Sequence, residues 1–476
     1  MRSSYRHTKV IFTIGPATDD EETLEKLVRA GVDICRFNMA HATHDYVRDT
    51  VARLRKVCEK VERHVSVMVD IKGPEIRTGV VPYALDLEPG NKVDFYVNPD
   101  DAKDLEQDGA YAITVNYPGL AKDVVVGNTV LVDSGLIRMK ILSKDEKRVR
   151  CEVLTPGPLG NRRHINLPGV KVNLPCLTEK DKNDIKLSIE CNVEFFALSF
   201  AREADDLRVM RRFIAEHDSQ AHIIAKIEDQ SAVSNLDAIV DASDGLMVAR
   251  GDLGIEIPYE DLPVVQRRAV QTCHRQGKPV IIATHMLESM ISSPMPTRAE
   301  ITDVANAVYE QADCVMLSGE TTIGKYPVEC VEVLNRIIRK TELGQGPLYN
   351  ENVRLITPKA KMLRSAVVLA SDMAGAPIVV FTRRGQMAQI LSSLRPRNSP
   401  VYAFTSDNLV FKQMLPLWGI EPFLLEFDDD PEETVQKAFK ALLKYSWVRR
   451  GDNMVVITNS KIRDRFVDTI QIRVVE

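Results

Sequence analysis

The stretch "VDICRFNMAHATHD", residues 32–45, begins as an apolar run suited to a buried strand and ends in a cation, an amide and an imidazole: Arg36, Asn38 and His41. A strand that stays in the core gains nothing from such hydrogen-bonding capacity at one end; a strand that opens onto a site does. The same pattern recurs in "KVIFTIG" (9–15), "VSVMVDIKG" (65–73), "VEFFALSF" (193–200), "HIIAKIE" (222–228), "GLMVARG" (245–251), "PVIIATHM" (279–286) and "DCVMLSG" (313–319). Nearly every run starts apolar and finishes polar, with Asp70, Lys72, Ser199, Lys226, Glu228, Arg250, Thr284 and Ser318 at the ends. Amphipathic helical patterns such as "EETLEKLVRAG" and "PVVQRRAVQTCHRQG" follow nearly all of them, often closed by Gly or Asn. Eight such units predict an α/β fold, a (β/α)8 TIM barrel, with a doubly wound open sheet as the alternative. The polar strand ends favour the barrel, because they gather on the face where barrels build active sites.

Two stretches break the pattern. Between the third and fourth strands, residues 76–172 carry short alternating runs such as "KVDFYVNPD" and "GNTVLVDSG" between turn residues, which predicts an inserted small β-barrel lid domain. After "LGQGPLYNEN" the strand–helix alternation restarts as a C-terminal α/β domain of regulatory or assembly type. The expected division is barrel 1–75, lid 76–172, barrel 173–345 and C-terminal domain 346–476. With a net charge of −5 and no long apolar run, the chain reads as having no nucleic-acid or membrane partner. The start has no apolar region before a cleavage site, so no secretion signal is expected. The eight cysteines form no C-x-x-C pair and read as small buried hydrophobes in a reducing compartment.

The strand ends carry the chemistry. Glu228 and Asp252 fall on one rim, where two carboxylates suit Mg²⁺, whose other positions go to water and phosphate. Lys226 lies two residues before Glu228 on the same strand face, suited to a transferring phosphoryl group or an enolate oxygen. "ARGDLG" puts Gly251 at a strand-to-helix junction whose N–H groups suit a carboxylate or phosphate. Arg36, Lys72 and Arg77 face Asp70, Glu75, Glu228 and Asp252, a mixed-sign rim that fits a small anionic substrate with its metal or, alternatively, a structural ion-pair network. Thr284 could relay a proton through its hydroxyl.

"TKVIFTIGPAT", "RFNMAH", "DIKGPEIRTG", "INLPG", "TEKD", "AKIED", "MVARGDLGIEIP", "GKPVIIATHMLESM", "PTRAE", "DVANAV" and "MLSGET", in this order, together resemble pyruvate kinase. The resemblance implies transfer of a phosphoryl group from phosphoenolpyruvate to ADP, giving pyruvate and ATP, as the last step of glycolysis. It implies Arg36 on the substrate phosphate and Lys226 on the transition state and enolate. Glu228 and Asp252 would hold Mg²⁺ or Mn²⁺, Gly251 and its neighbours the substrate carboxylate, and Thr284 would stand near the carbon that is protonated. Asn38, His41, Arg77 and Arg163 would serve the nucleotide, with Arg163 where Lys is usual. A cytoplasmic homotetramer, with a sugar-phosphate or nucleotide effector at the C-terminal domain, also follows from resemblance alone.

The departures matter too. The family's "NFSHG" is replaced by Asn38-Met39-Ala40-His41-Ala42, so a hydroxyl is lost beside a monovalent-cation site made by Asn38, Asp70 and the Ile71 carbonyl. Glu75, which accompanies potassium dependence in the family, is kept; the expectation is a K⁺ that still activates but binds more weakly. Asp229, His285 and Ile301-Thr302 are further substitutions, and "FTRRGQMAQ" departs from the usual effector loop at Arg384 and Met387. Rival readings are a catalytically weakened paralogue with a regulatory role and an Mg²⁺-dependent lyase on the same barrel.

Overall fold

The computed structural model describes residues 5–102, 104–344, 346–462 and 465–476. Eight parallel strands close into a barrel: Lys9–Thr13, Ile34–Asn38, Ser66–Ile71, Phe195–Leu198, His222–Ile227, Gly245–Ala249, Val280–Ala283 and Cys314–Met316. The first pairs with the second and the eighth, which closes the ring and excludes the open-sheet alternative. The runs are apolar in their middles because both faces of each strand are buried there. The strand period of two divides them between two cores. Ile11, Ile34, Met68, Phe195, Ala197, Ile224, Met247, Ile281, Ala283, Cys314 and Met316 fill the barrel interior, while neighbours such as Val10, Cys35, Val67 and Phe196 pack outward against the helices.

That alternation also builds the rim. The next interior-facing positions after Ile34, Met68, Ala197 and Ile224 are Arg36, Asp70, Ser199 and Lys226. Four neighbouring strands therefore deliver four polar groups to the same end of one closed cylinder.

The insertion between the third and fourth strands is all β and has its own core, including Val93, Phe95, Ile113, Val132, Met139, Ile141 and Val153. Its hydrogen-bonded ladder is an open seven-stranded sheet plus a separate pair, Leu85–Leu87 with Gly157–Leu159, so the ring expected of a small barrel is not closed by hydrogen bonds. Bridges Arg77↔His164 and Thr78↔Val115 tie its root together. The C-terminal unit is a five-stranded sheet in the order Ile420–Leu424, Val401–Thr405, Ile378–Phe381, Asn453–Ile462, Arg465–Val474, with the last strand antiparallel. Tyr349 packs on the barrel core and Leu355 on the C-terminal core, so the seam falls later than residue 346.

The C-terminal unit covers the barrel end opposite the rim. Arg395 reaches Asp313, just ahead of the eighth strand, at 2.8 Å, with both side chains almost fully buried. It also donates to the Gln311 carbonyl and stacks over Trp418. Burial, with Arg395 alongside, pushes His274 down to about 4, so this seam carries a neutral imidazole. Lys9 Nζ donates to the Ile420 carbonyl at 2.7 Å and Lys412 pairs with Glu194 at 2.9 Å. Arg395→Met strands Asp313 as a buried charge and lowers stability by about 3–5 kcal/mol. Chemical denaturation at pH 7 measures this, and adding Asp313→Asn to the same chain recovers much of the loss.

Candidate active site

Asp70 organises the rim. Its Oδ2 accepts from Arg36 Nε at 2.8 Å and Nη2 at 2.5 Å; its Oδ1 accepts from Ser199 Oγ at 3.1 Å and Lys226 Nζ at 3.2 Å. Burial alone would raise this carboxyl, but Arg36 and Lys226 outweigh it and hold Asp70 below the usual range. Arg36 is fixed on its other side by Thr13 Oγ1 at 3.1 Å.

Lys226 lies between two anions, Asp70 and Glu228 (2.8 Å), and donates to Ser199 Oγ at 2.7 Å. Burial works against the ammonium, yet Asp70 and Glu228 push it above the ordinary lysine value. Glu228 behaves oppositely. Burial pushes it up to about 7 against the pull of Lys226, and Asp252 and Asp70 add to the rise. The lysine is the firmer ion, because two carboxylates share it, while Glu228 has part of that ammonium and the Phe200 N–H at 2.7 Å against burial and the charge of Asp252.

That imbalance tests the metal reading. A divalent cation between Glu228 and Asp252 would turn their repulsion into attraction. Among the described residues no group of three or more His, Cys, Asp or Glu side chains is placed to hold a metal. An Mg²⁺ here would have two protein carboxylates and take its remaining ligands from phosphate and water, which suits that ion. The monovalent donors fit less well. The Asn38 Oδ1 accepts the Ala40 N–H at 3.1 Å, the Ile71 carbonyl accepts from Ser199 N at 3.3 Å, and Asp70 already serves two cations.

The seventh strand ends in Thr284 (φ 67°) and His285 (φ 55°), consecutive left-handed residues of which the first is β-branched. Such backbone costs about 1–3 kcal/mol per residue and persists only where its surroundings hold it. Arg250 does so, donating to the Ala283 carbonyl at 3.1 Å and the Thr284 carbonyl at 2.6 Å, and it pairs with Asp303 at 2.7 Å. The Thr284 hydroxyl donates to the Ala283 carbonyl and accepts the Gly251 N–H at 2.8 Å. The carboxylate expected at that N–H would have to compete with Thr284 for it. Asp252 follows in the first turn of the helix Arg250–Glu256.

The residues expected to serve the nucleotide are more scattered. Glu75 pairs with Arg77 at 2.6 Å and Lys72 at 3.2 Å where the lid is rooted, and Arg77 donates to the Arg162 carbonyl. Arg163 is half exposed and pairs with Asp133 of the lid at 3.2 Å; His41 is exposed on the turn after the second strand. Ser199 had been read only as a polar strand end, yet it bridges Lys226 and Asp70; its interior register after Ala197 was the available signal. Asn166 and Glu256, which meet across the lid seam at 2.7 Å, carried no such signal.

A parallel barrel with a buried lysine–carboxylate rim under an all-β lid is the frame of a phosphoryl-transferring kinase. The chain matches the pyruvate kinase barrel domain over residues 5–331 and the pyruvate kinase alpha/beta domain over residues 360–473. It is 38% identical to a pyruvate kinase of Dictyostelium discoideum, covering 96% of this chain and 92% of that one. It is also 38% identical to plastidial pyruvate kinase 2 of Arabidopsis thaliana, over 98% of this chain and 81% of that one. The solved structure of a pyruvate kinase from Cryptosporidium parvum superposes with a TM-score of 0.92 at 33% identity, covering 99% and 96% of the two chains. The chain belongs to the pyruvate kinase family.

Ser199→Ala removes one hydrogen bond to the Lys226 ammonium and one to Asp70 while leaving the charges in place. Turnover falls about tenfold or more, the weight of a hydrogen bond to a charged group. Steady-state kinetics at saturating substrates check it, with an unchanged melting temperature excluding a folding defect.

Proposed function

We propose that the protein is an ATP:pyruvate 2-O-phosphotransferase that passes the phosphoryl group of phosphoenolpyruvate to ADP. The observation that carries this reading is Lys226, a buried ammonium shared by Asp70, Glu228 and Ser199 two residues above the apolar layer of the barrel. Arg36 binds the substrate phosphate from one side, and Lys226 faces the phosphoryl oxygens and the enolate oxygen that loses its phosphorus. The P–O bond to the enol oxygen breaks as a bond to the terminal ADP oxygen forms. The enolate then takes a proton at its methylene carbon, on the side of Thr284, and becomes pyruvate. Mg²⁺, held by Glu228 and Asp252, supplies charge neutralisation at the phosphoryl oxygens when bound. Asn38, His41, Arg77 and Arg163 position the nucleotide. Most of the work is orientation and charge complementarity among buried groups.

K⁺ is part of the proposal as a weak activator. Ala40 offers no hydroxyl, and the other donors are engaged by the protein's own groups. A homotetramer, a place at the end of glycolysis, a cytoplasmic compartment and a sugar-phosphate or nucleotide effector near Arg383, Arg384 and Gly385 belong to the same reading. All eight cysteines are free, and among the described residues no helix is long and apolar enough to cross a membrane.

Pyruvate formation from phosphoenolpyruvate and ADP with Mg²⁺ tests the assignment directly. Lys226→Met lowers kcat by about 10²–10³-fold, as loss of one preorganised charge at the reacting oxygens should. Substrate binding without turnover in the native chain would move the assignment to the regulatory paralogue. In matched buffers K⁺ outperforms Na⁺ only at high concentration; flat activity from Na⁺ to K⁺ removes the monovalent site from the reading.

A further inference from the structure

The lid does more than hang from its two connecting segments. Asn166, in the last short strand before the chain re-enters the barrel, donates from Nδ2 to Glu256 Oε1 at 2.7 Å, and both side chains are buried. Its Oδ1 is shut away from solvent with no partner among the described residues. A second contact lies nearby. The lid turn Asp133-Ser134-Gly135 has positive φ at all three residues, and a Cβ on Gly135 would sit 3.2 Å from Ile255 Cγ2. Ile255 and Glu256 are the last residues of the helix Arg250–Glu256, whose first turn holds Gly251 and Asp252. One rigid segment seven residues long thus carries the lid contacts at one end and the metal carboxylate at the other. Arg163, on the nucleotide side, is tied to Asp133 of that same lid turn.

We propose that the Asn166–Glu256 hydrogen bond is the latch that fixes the docked position of the lid over the rim, making Glu256 a positioning residue for the nucleotide half of the site. Glu256 acts through Asn166 on the lid and through its own helix on Asp252. The chemistry of the seam suits a contact that opens and closes. A cavity of about 60 Å³ lies beside it, lined by His164, Asn166, Arg202, Asp229, Gln230 and Glu256 among others. Its lining mixes these polar groups with apolar side chains such as Ile76, Leu167 and Phe200, and it is large enough for water. Burial pushes the Glu256 carboxyl up to about 7 against the Asn166 hydrogen bond, with Asp229 and Asp252 adding to the rise. A permanent seam would be better served by apolar residues of the same volume. Gln230 Nε2 donates to the Glu256 carbonyl at 2.7 Å, which anchors the backbone from which the Glu256 side chain reaches the lid.

The kinetic half of the test rests on the proposed reaction; amide hydrogen exchange of the lid does not, so the two can fail separately. Asn166→Asp sets two carboxyl groups against each other. It raises the KM for ADP about tenfold, the loss expected of a charged hydrogen bond, with the KM for phosphoenolpyruvate within about twofold of the native value. Exchange speeds up in peptides spanning 130–138 and 163–172. Adding Glu256→Gln reverses donor and acceptor and restores both readings. Should Asn166→Asp lose cooperative unfolding, Glu256→Ala breaks the same bond without adding charge and carries the same expectation. Unchanged lid exchange in a folded single variant overturns the latch, as does a double variant no better than Asn166→Asp. Faster exchange in a chain without turnover keeps the latch and overturns the reaction instead.

Discussion

The rim depends on one buried carboxylate. Asp70 is nearly inaccessible to solvent and sits between Arg36 and Lys226, two cations that are themselves almost buried. Removing an ion from water costs several kcal/mol, and attraction in a low-dielectric interior repays it only where the geometry is good and the remaining lone pairs are bonded. All of that is met here: Arg36 approaches with two nitrogens, and Ser199 and Lys226 take the other oxygen. Without Asp70 the two cations would repel across the barrel axis. With it they stand side by side, facing the place where an anionic substrate would bring further negative charge.

Glu228 shows the other half of the design. It lies one period above Lys226 on the same strand, in a setting where burial and Asp252 both disfavour its charge. One carboxyl here is over-compensated and its neighbour under-compensated, an imbalance that the proposed divalent cation would offset. The strained Thr284–His285 turn tells the same story in backbone terms, since Arg250 spends its hydrogen bonds on consecutive carbonyls there. The helix Arg250–Glu256 carries Asp252 in its first turn and the Glu256 contact with the lid at its end, so the proposed latch and the proposed metal carboxylate share one short segment.

Much of the fold was legible because both periods were strong. Eight apolar runs with polar ends implied a ring of parallel strands, and the ends gave Arg36, Asp70, Lys226, Glu228 and Thr284 directly. The strand Ile420–Leu424 is hidden in the sequence by Pro422, which is tolerated because this strand is the edge of the C-terminal sheet. The insertion was read as all β, but whether its ladder closes depends on strand pairing that alternation alone does not encode.

Periodicity alone determined which residues face the barrel interior, because a strand turns each side chain to the opposite face at every step and a helix returns only after its own turn. It therefore favoured the barrel over an open sheet and marked the polar groups at its rim. Only the tertiary structure decided who pairs with whom. Asp70 and Lys226 are 156 residues apart, Asn166 and Glu256 are 90 apart, and Arg395 and Asp313 are 82 apart. Those partners meet because a closed cylinder, a folded-back lid and a docked C-terminal sheet bring them within 3.2 Å, and burial then makes each contact strong.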